Sequence, residues 1–334
     1  MIGSVPLRRA ALGVLVAAAL LVAGRAVDDF QLRLLTEALI FGLFAMSLDL
    51  LLGYTGLPSL GHAAYFGTAA YTTGVIAAEA TSGFWLPAAA GVGASVLLAL
   101  LFGLVALRTR GVYFLMITLA LGQLTVGLAL RNRSLTGGAD GLAGVPRPDL
   151  GVGWNLWPTQ NFYYFTLAVV AVAALVLWLV VRSPFGVALR GIRDNEARMD
   201  ALGYHVWLRR YVAFVLAGGF AGVAGVLFVY HNAFVSPDAL GLATSAEVLL
   251  MVILGGAGTL FGPLLGAGVL VTLNYTISSF AERWVLFLGA VYVLTVLVAR
   301  RGLWRAVPVW ARGTRSMLAG VVTIARARTG RGAR

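Results

Sequence analysis

The sequence predicts an all-α fold, a polytopic bundle of about ten transmembrane helices. Sixty per cent of the 334 residues are hydrophobic and only 11% are charged, whereas soluble domains carry about 25% charged residues. Apolar runs of roughly 20 residues recur along the chain, and each can cross a hydrocarbon core of about 30 Å. Because lipid offers backbone polar groups no partner and the runs lack the alternation of barrel strands, helices are expected.

The predicted spans follow one another to residue 299, each bounded by an arginine-rich or a Gly/Pro-rich break. They lie at 10–26, 33–53, 61–80, 84–107, 111–130, 161–181, 211–231, 242–256, 260–280 and 284–299. The first run follows two arginines and also resembles a signal peptide, but no small-x-small cleavage site follows, so its retention is expected. We expect a single transmembrane domain over residues 1–303 and a poorly ordered, Arg-rich tail over 304–334.

The basic residues predict the orientation. All 25 are arginine, and with the N-terminus inside, 19 of them fall on the cytoplasmic side. This asymmetry satisfies the positive-inside rule and places both termini in the cytoplasm. The net charge of +12 therefore reflects topology and contact of the tail with anionic lipid, and nucleic acid is not an expected partner.

Several kinds of chemistry are excluded by composition. The chain has no lysine, so it cannot form a P-loop and cannot hydrolyse ATP by that route. It has no cysteine, and its three histidines are far apart, which removes thiolate chemistry and metal-ligand spacing. We therefore expect no catalytic residues, no metal and no bound cofactor.

Two Gly/Pro-interrupted apolar segments, 53–74 and 254–268, occupy matching positions between an inward-going and an outward-going helix. Leu52-Gly53-x-x-Gly56 aligns with Leu254-Gly255-x-x-Gly258, a pattern typical of a transport pathway built on a pseudo-repeat, or of close helix packing through small residues. The candidate pathway and gating residues are Gly53, Tyr54, Gly56, Ser59, Gly61, His62, Glu247, Gly255, Gly256, Gly258 and Gly262. Glu37 and Asp49 are further carboxylates inside spans, where they serve function, snorkel or pair structurally.

Two polar loops are the other candidate sites. The outer loop 131–160 contains turn signals and is either a partner contact or a solvated connector; its candidate residues are Thr136, Gly137, Gly138, Asp140 and Gly141. The inner loop 183–210 interleaves apolar and charged residues, which predicts a short amphipathic helix on headgroups or against a soluble protein. Its acidic residues disfavour the lipid interpretation.

Four motifs, in order, carry a resemblance to a known family: LLGYTGLPSLGHAAYFGTAAYT, RSLTGGADGLAGVPRP, SPFGVALRGIRDNEARMDALGY and ILGGAGTLFGPLLGAGVL. They resemble the M-type permease subunit of the branched-chain amino-acid ABC importers over about residues 39–303. TGGADG matches that family's outer-loop pattern well, whereas NEARMDALG matches the importer coupling motif only loosely.

The resemblance implies a permease of the bacterial inner membrane that translocates branched-chain or related hydrophobic amino acids. It implies a homologous H-type permease, two P-loop ATPases that use the ATP, and a periplasmic substrate-binding protein as partners, besides membrane lipid. The inner loop would couple to the ATPases through Arg190, Arg193, Asp194, Asn195 and Glu196. The alternatives are a urea or short-amide importer permease, a proton-coupled secondary carrier and, less favoured, a membrane-embedded enzyme or scaffold.

Overall fold

The computed structural model describes residues 20–79, 83–151 and 155–280, with residues 289, 290 and 293. The predicted span 284–299, most of the span 10–26 and the tail 304–334 lie outside the described residues. Within the described part, the protein is a helical bundle carrying one two-stranded ribbon.

Each predicted span between residues 33 and 280 has a helical counterpart whose ends agree within five residues. The helices are α1 (Asp29–Asp49), α2 (Ala63–Glu79), α3 (Trp85–Ala106), α4 (Val112–Arg131), α5 (Arg133–Thr136), α6 (Thr159–Arg182), α7 (Pro184–Asp194), α8 (Glu196–Ala201), α9 (Val206–Asn232), α10 (Leu242–Gly255) and α11 (Gly262–Phe280). The all-α polytopic fold predicted from the sequence is confirmed.

Five of the described helices are long and apolar enough to cross a membrane: α1 with the π turn that follows it, α3, α4, α6 and α9. By contrast, α2 and α10 have 17 and 14 residues. At 1.5 Å per residue they measure about 26 and 21 Å, less than the roughly 30 Å hydrocarbon core. The predicted spans at these two positions are therefore shorter helices; the non-helical residues 56–62 precede α2, and the 3-10 turn Pro237–Leu240 precedes α10.

The centre of the bundle is formed by α1 and α9. The most apolar window of α1 is 83% buried and that of α9 is 61% buried, against 28 to 33% for α3, α4 and α6. Small residues allow α9 to approach its neighbours closely. A Cβ atom at Gly225 would overlap the carbonyl of Phe66 on α2, and Ser95 on α3 donates a hydrogen bond to the Gly218 carbonyl at 2.8 Å.

The two ends of the bundle carry different structures. At one end, the π turn Leu50–Thr55, the 255–262 turn and the helices α7 and α8 meet. At the opposite end, β1 (Leu142–Ala143) pairs antiparallel with β2 (Phe234–Val235). The predicted inner and outer loops are thus separated by the length of the bundle.

Candidate functional site

The α-helical geometry of α1 ends close to residue 53, where the sequence predicts an interruption. The chain widens into the π turn Leu50–Thr55, and Gly56 then takes the left-handed conformation with φ 73°. A π turn alters the hydrogen-bond ladder and is frequent at functional sites. The chain does not resume a helix until Ala63, so a non-helical segment separates α1 from α2.

This segment turns back along α1 rather than lying at the membrane edge. His62 Nε2 lies 2.8 Å from the Ser47 hydroxyl, about two turns back from the end of the π turn. The imidazole is fully buried and stacks on Phe44 at 5.5 Å between ring centroids. His62 therefore belongs to the buried core of the bundle. Its Nδ1 atom is buried with no hydrogen-bond partner among the described residues.

Gly61 lets the segment press against α4. A Cβ atom at Gly61 would overlap the Thr118 carbonyl, and the Leu60 amide donates to the Thr118 hydroxyl at 3.3 Å. The Gly61 contact is therefore a close-packing contact of the kind that small residues permit. The Ser59 hydroxyl accepts a hydrogen bond from the Gly61 amide at 3.4 Å within the same turn.

The second interrupted segment joins α10 to α11 by a tight turn. Gly255 and Gly262 pack backbone to backbone, leaving no room for a side chain on either. Gly256 and Gly258 have positive φ angles of 105° and 80°. Gly258 aligns with Gly56 in the predicted pseudo-repeat, and both glycines are left-handed, so the two segments share this feature of backbone conformation.

Asp49 fastens the two interrupted segments together. Its carboxylate is fully buried and accepts hydrogen bonds from the amides of Gly258 at 2.7 Å and Leu260 at 3.1 Å. Gly53, one turn further on, packs directly against the Gly258 backbone. Charge-assisted hydrogen bonds of this kind are about twice as strong as neutral ones. The sequence marks Asp49 as an intramembrane carboxylate, but nothing in it identifies these two distant amides as its partners.

The 183–210 segment rests on this junction through Arg193. Its guanidinium donates to the Gly53 carbonyl, and it donates to the Asp194 carboxylate at 3.1 and 3.2 Å. Arg190 lies over the Tyr54 ring, 6.0 Å from its centroid. Helix α7 is therefore held against the broken end of α1 by two of its arginines.

Glu196 holds the next helix, α8, to the bundle. One carboxylate oxygen accepts from Arg110 at 3.1 Å and from Arg210 at 3.0 Å. Asn195 caps α8 by accepting from the Arg198 amide at 2.9 Å. The charges of Arg193 and Glu196 are thus matched within their own chain, and their side chains are 39% and 27% exposed, whereas Asp194 keeps 69% of its side chain exposed.

The outer loop is ordered by specific turns, as its glycines predict. Thr136 donates to the Ala129 and Asn132 carbonyls, and Gly137 is left-handed at φ 74°. Gly138 begins a 3-10 turn that ends at Asp140, whose side chain is exposed.

Further contacts tie this loop to the bundle. Gly141 packs against the Val235 carbonyl of β2, with no space for a Cβ atom. Arg147 donates to the Leu156 and Trp157 carbonyls at 3.1 and 3.0 Å. Partial burial and the charge of Arg33 lower the pKa of Arg147 from its ordinary value. The loop is therefore a folded surface rather than a loose connector.

Glu247, the remaining candidate, lies away from the junction. It lines a cavity of about 250 Å³ between α1, α10 and α11, together with Glu37. The structure thus brings together Gly53, Gly258 and Arg193 but separates them from Glu247. It also joins two carboxylates that lie 210 residues apart in the sequence.

Comparisons with known proteins identify the family. The family model described as branched-chain amino acid transport system / permease component matches residues 30–298. The LivM permease proteins of the high-affinity branched-chain amino acid transport systems of Salmonella typhimurium and Escherichia coli are each 31% identical over 292 residues, covering 80% of this chain and 68% of theirs. The autoinducer 2 import system permease protein LsrC of Klebsiella pneumoniae is 33% identical over 138 residues, covering 38% of this chain and 40% of its own. No solved structure matches.

Gly53→Ala is expected to destabilise the protein, because the added methyl group would overlap the Asp49 carboxylate and the Gly258 backbone. Overpacking of this kind costs about 1 to 3 kcal/mol, so the melting temperature in detergent should fall by several degrees. Gly93→Ala is the matched control, since a Cβ atom there meets nothing within 4 Å. An equal melting temperature for Gly53→Ala and wild type would contradict the close contact.

Asp49→Ala is expected to loosen the junction, because it leaves the Gly258 and Leu260 amides without their acceptor. Each unpaired buried donor costs about 1 to 3 kcal/mol. Hydrogen exchange should show faster exchange at residues 256–260, measured against Asp29→Ala, which removes an exposed carboxylate of the same helix. Unchanged protection in the Asp49 variant would exclude the proposed fastening.

Proposed function

This chain belongs to the family of branched-chain amino acid transport permease components, and from that premise we propose that it is the permease subunit of an ABC importer. The proposed substrate class is branched-chain or related hydrophobic amino acids, and the proposed location is the bacterial inner membrane. The match to two LivM proteins over 80% of the chain is the observation that carries this proposal. A homologous H-type permease would complete the membrane pathway.

The energy source belongs to other chains. Without lysine, this polypeptide has no P-loop of its own, so two separate ATPase subunits would bind and hydrolyse ATP. The permease itself would bind no cofactor. Its two termini and the 183–210 segment would face the cytoplasm, where the arginine distribution puts them.

The ATPase-docking surface is α8 and the turn that follows it, with Asp194 beside them. In α7, the side chains of Ala188, Leu189 and Ile192 are buried and those of Arg190 and Arg193 contact the bundle, so one face of that helix packs on its own chain, whereas Val187 on another face is 57% exposed. The next segment is open: Leu202 is 66% exposed and Tyr204 is 38% exposed, beside exposed Arg198 and Asp200. An apolar centre with a charged rim suits a protein partner.

The mechanism transmits movement of this segment to the two interrupted helices. ATP binding would draw the ATPases together and displace α8, whose position is tied to α7 by the Asn195 cap and to the bundle by Glu196. Arg193 passes the displacement to Gly53, and Asp49 passes it on to Gly258 and α11. Because α1, α10 and α11 also line the cavity with Glu37 and Glu247, their movement would change its access.

On the opposite side, the binding protein would dock on the ordered loop. The exposed Asp140 lies beside the rigid turns of Gly137 and Gly141, which hold it in one position. A pre-organised polar surface of this kind loses little entropy when it binds.

Three other functions remain as test outcomes. An importer of autoinducer 2, suggested by the partial match to LsrC, and an importer of urea or short amides would differ from the proposed function in substrate. A proton-coupled carrier would act alone; the Asp49 carboxylate, engaged by two backbone amides, gives that reading little support.

Uptake of L-leucine into proteoliposomes is expected only when the chain is reconstituted with its second permease, both ATPases, the binding protein and ATP. Radiolabelled uptake by this chain alone under a pH gradient would instead establish a secondary carrier. ATP-driven uptake of urea or autoinducer 2, with no uptake of leucine, would reassign the substrate.

Leu202→Asp is expected to reduce co-purification of the ATPases by about tenfold or more, because it places a charge at the apolar centre of the docking surface. Leu202→Met is its control and should retain the ATPases.

Arg193→Ala should also retain the ATPases but lose at least about tenfold in uptake per ATP hydrolysed, since Arg193 transmits movement to Gly53 and does not contact the ATPases. Arg193→Lys, which keeps one donor for the Gly53 carbonyl, should restore part of the coupling. Loss of the ATPases with Arg193→Ala, or their retention with Leu202→Asp, would reverse this assignment.

A further inference from the structure

Two half-open cavities between the helices share Phe41 in their linings. The first, of about 170 Å³, is lined by residues of α1, α2 and α9, the 232–239 segment and Thr244. The second, of about 250 Å³, is the one that contains Glu37 and Glu247. Thr244 and Glu247 are three residues apart on α10 and so share a helix face, which makes the two cavities neighbours along both α1 and α10. Each exceeds the roughly 10 to 15 Å³ that holds one water by more than tenfold.

The first cavity is an aromatic compartment. Phe41, Phe66 and Phe228 form a triangle of rings with centroid distances of 5.0 to 6.0 Å, and Phe234 adds a fourth ring that is 40% exposed. Its apolar wall suits an aliphatic side chain, since burying each CH₂ group contributes about 0.8 kcal/mol.

Polar groups stand at the edge of the aromatic compartment. Asn232 and Asp238 line it. The Asn232 amide can donate and accept hydrogen bonds, and the Asp238 side chain can accept them.

The second cavity is an anionic compartment. Glu37 lies one turn before Phe41 on the same face of α1, and Glu247 is close enough to interact with it electrostatically. Two carboxylates in one cavity repel each other, so a cation between Glu37 and Glu247 is favoured. Asn274 on α11 lines the same cavity and supplies an amide that can donate to an anionic oxygen.

We propose that the two compartments form one binding site for a zwitterionic aliphatic amino acid inside the permease. The ammonium group lies between Glu37 and Glu247, the carboxylate is near Asn274, and the aliphatic side chain passes Phe41 into the ring of phenylalanines. This inference rests on the proposed function and deepens it, because the permease would then select its substrate in addition to the binding protein.

The test is equilibrium binding of tritiated L-leucine to the complete importer in lipid nanodiscs, without the binding protein. Glu37→Gln and Glu247→Gln keep side-chain shape but remove charge, and each should weaken leucine binding by about tenfold or more. Glu79→Gln, at the exposed end of α2, is the matched control. The Gln variants should bind 4-methylpentanoate, an anion that lacks the ammonium group, more tightly than wild type does, because each removes a carboxylate that repels it.

Phe228→Trp tests the aromatic compartment. The larger ring narrows the space for the side chain, so leucine binding should weaken by several-fold more than alanine binding. Equal weakening for both amino acids would remove the aromatic compartment from the site.

ATP-driven leucine uptake, measured on the same preparations, distinguishes failure of the proposed binding site from failure of the proposed importer function. Unchanged leucine binding in both Gln variants, with uptake intact, would overturn the site and leave the importer function standing. Absence of ATP-driven uptake in the wild-type complex would overturn the proposed function itself.

Discussion

The buried carboxylate of Asp49 is the interaction on which one end of the described bundle depends. It accepts hydrogen bonds from two amides of the 256–260 turn, more than 200 residues away in the sequence. A carboxylate inside a membrane bundle is costly unless hydrogen bonds compensate it. Here the compensation comes from backbone amides that only a left-handed turn can present, so the carboxylate and the glycine turn require each other.

That constraint connects distant parts of the chain. Gly53 contacts Gly258 on one side, and its carbonyl accepts from Arg193 on the other. The broken end of α1 is therefore shared by α7 and by the α10–α11 turn. Hydrogen bonds and direct contact thus link α7 to both interrupted helices without involving α3, α4 or α6, whose most apolar windows are only 28 to 33% buried.

The 183–210 segment shows the limit of reasoning from charge alone. Its amphipathic pattern predicts a short helix, and α7 and α8 are the helices found there. The pattern does not predict which charges are matched within the chain. Glu196 forms ion pairs with Arg110 and Arg210, which lie in two other parts of the sequence. The carboxylate of Glu196 therefore faces its own chain, while the apolar side chain of Leu202 is exposed.

The sequence by itself determined the membrane class, the helices and the two glycine-rich interruptions, because hydrocarbon thickness and the conformational preferences of glycine act locally. It also placed TGGADG in a structured turn. Only the tertiary structure decided that His62 is buried beside Ser47, that Asp49 joins the two interruptions, and that Glu37 and Glu247 share one cavity. These features depend on which helices become neighbours, and packing between apolar faces inside a membrane leaves little periodic signal in the sequence.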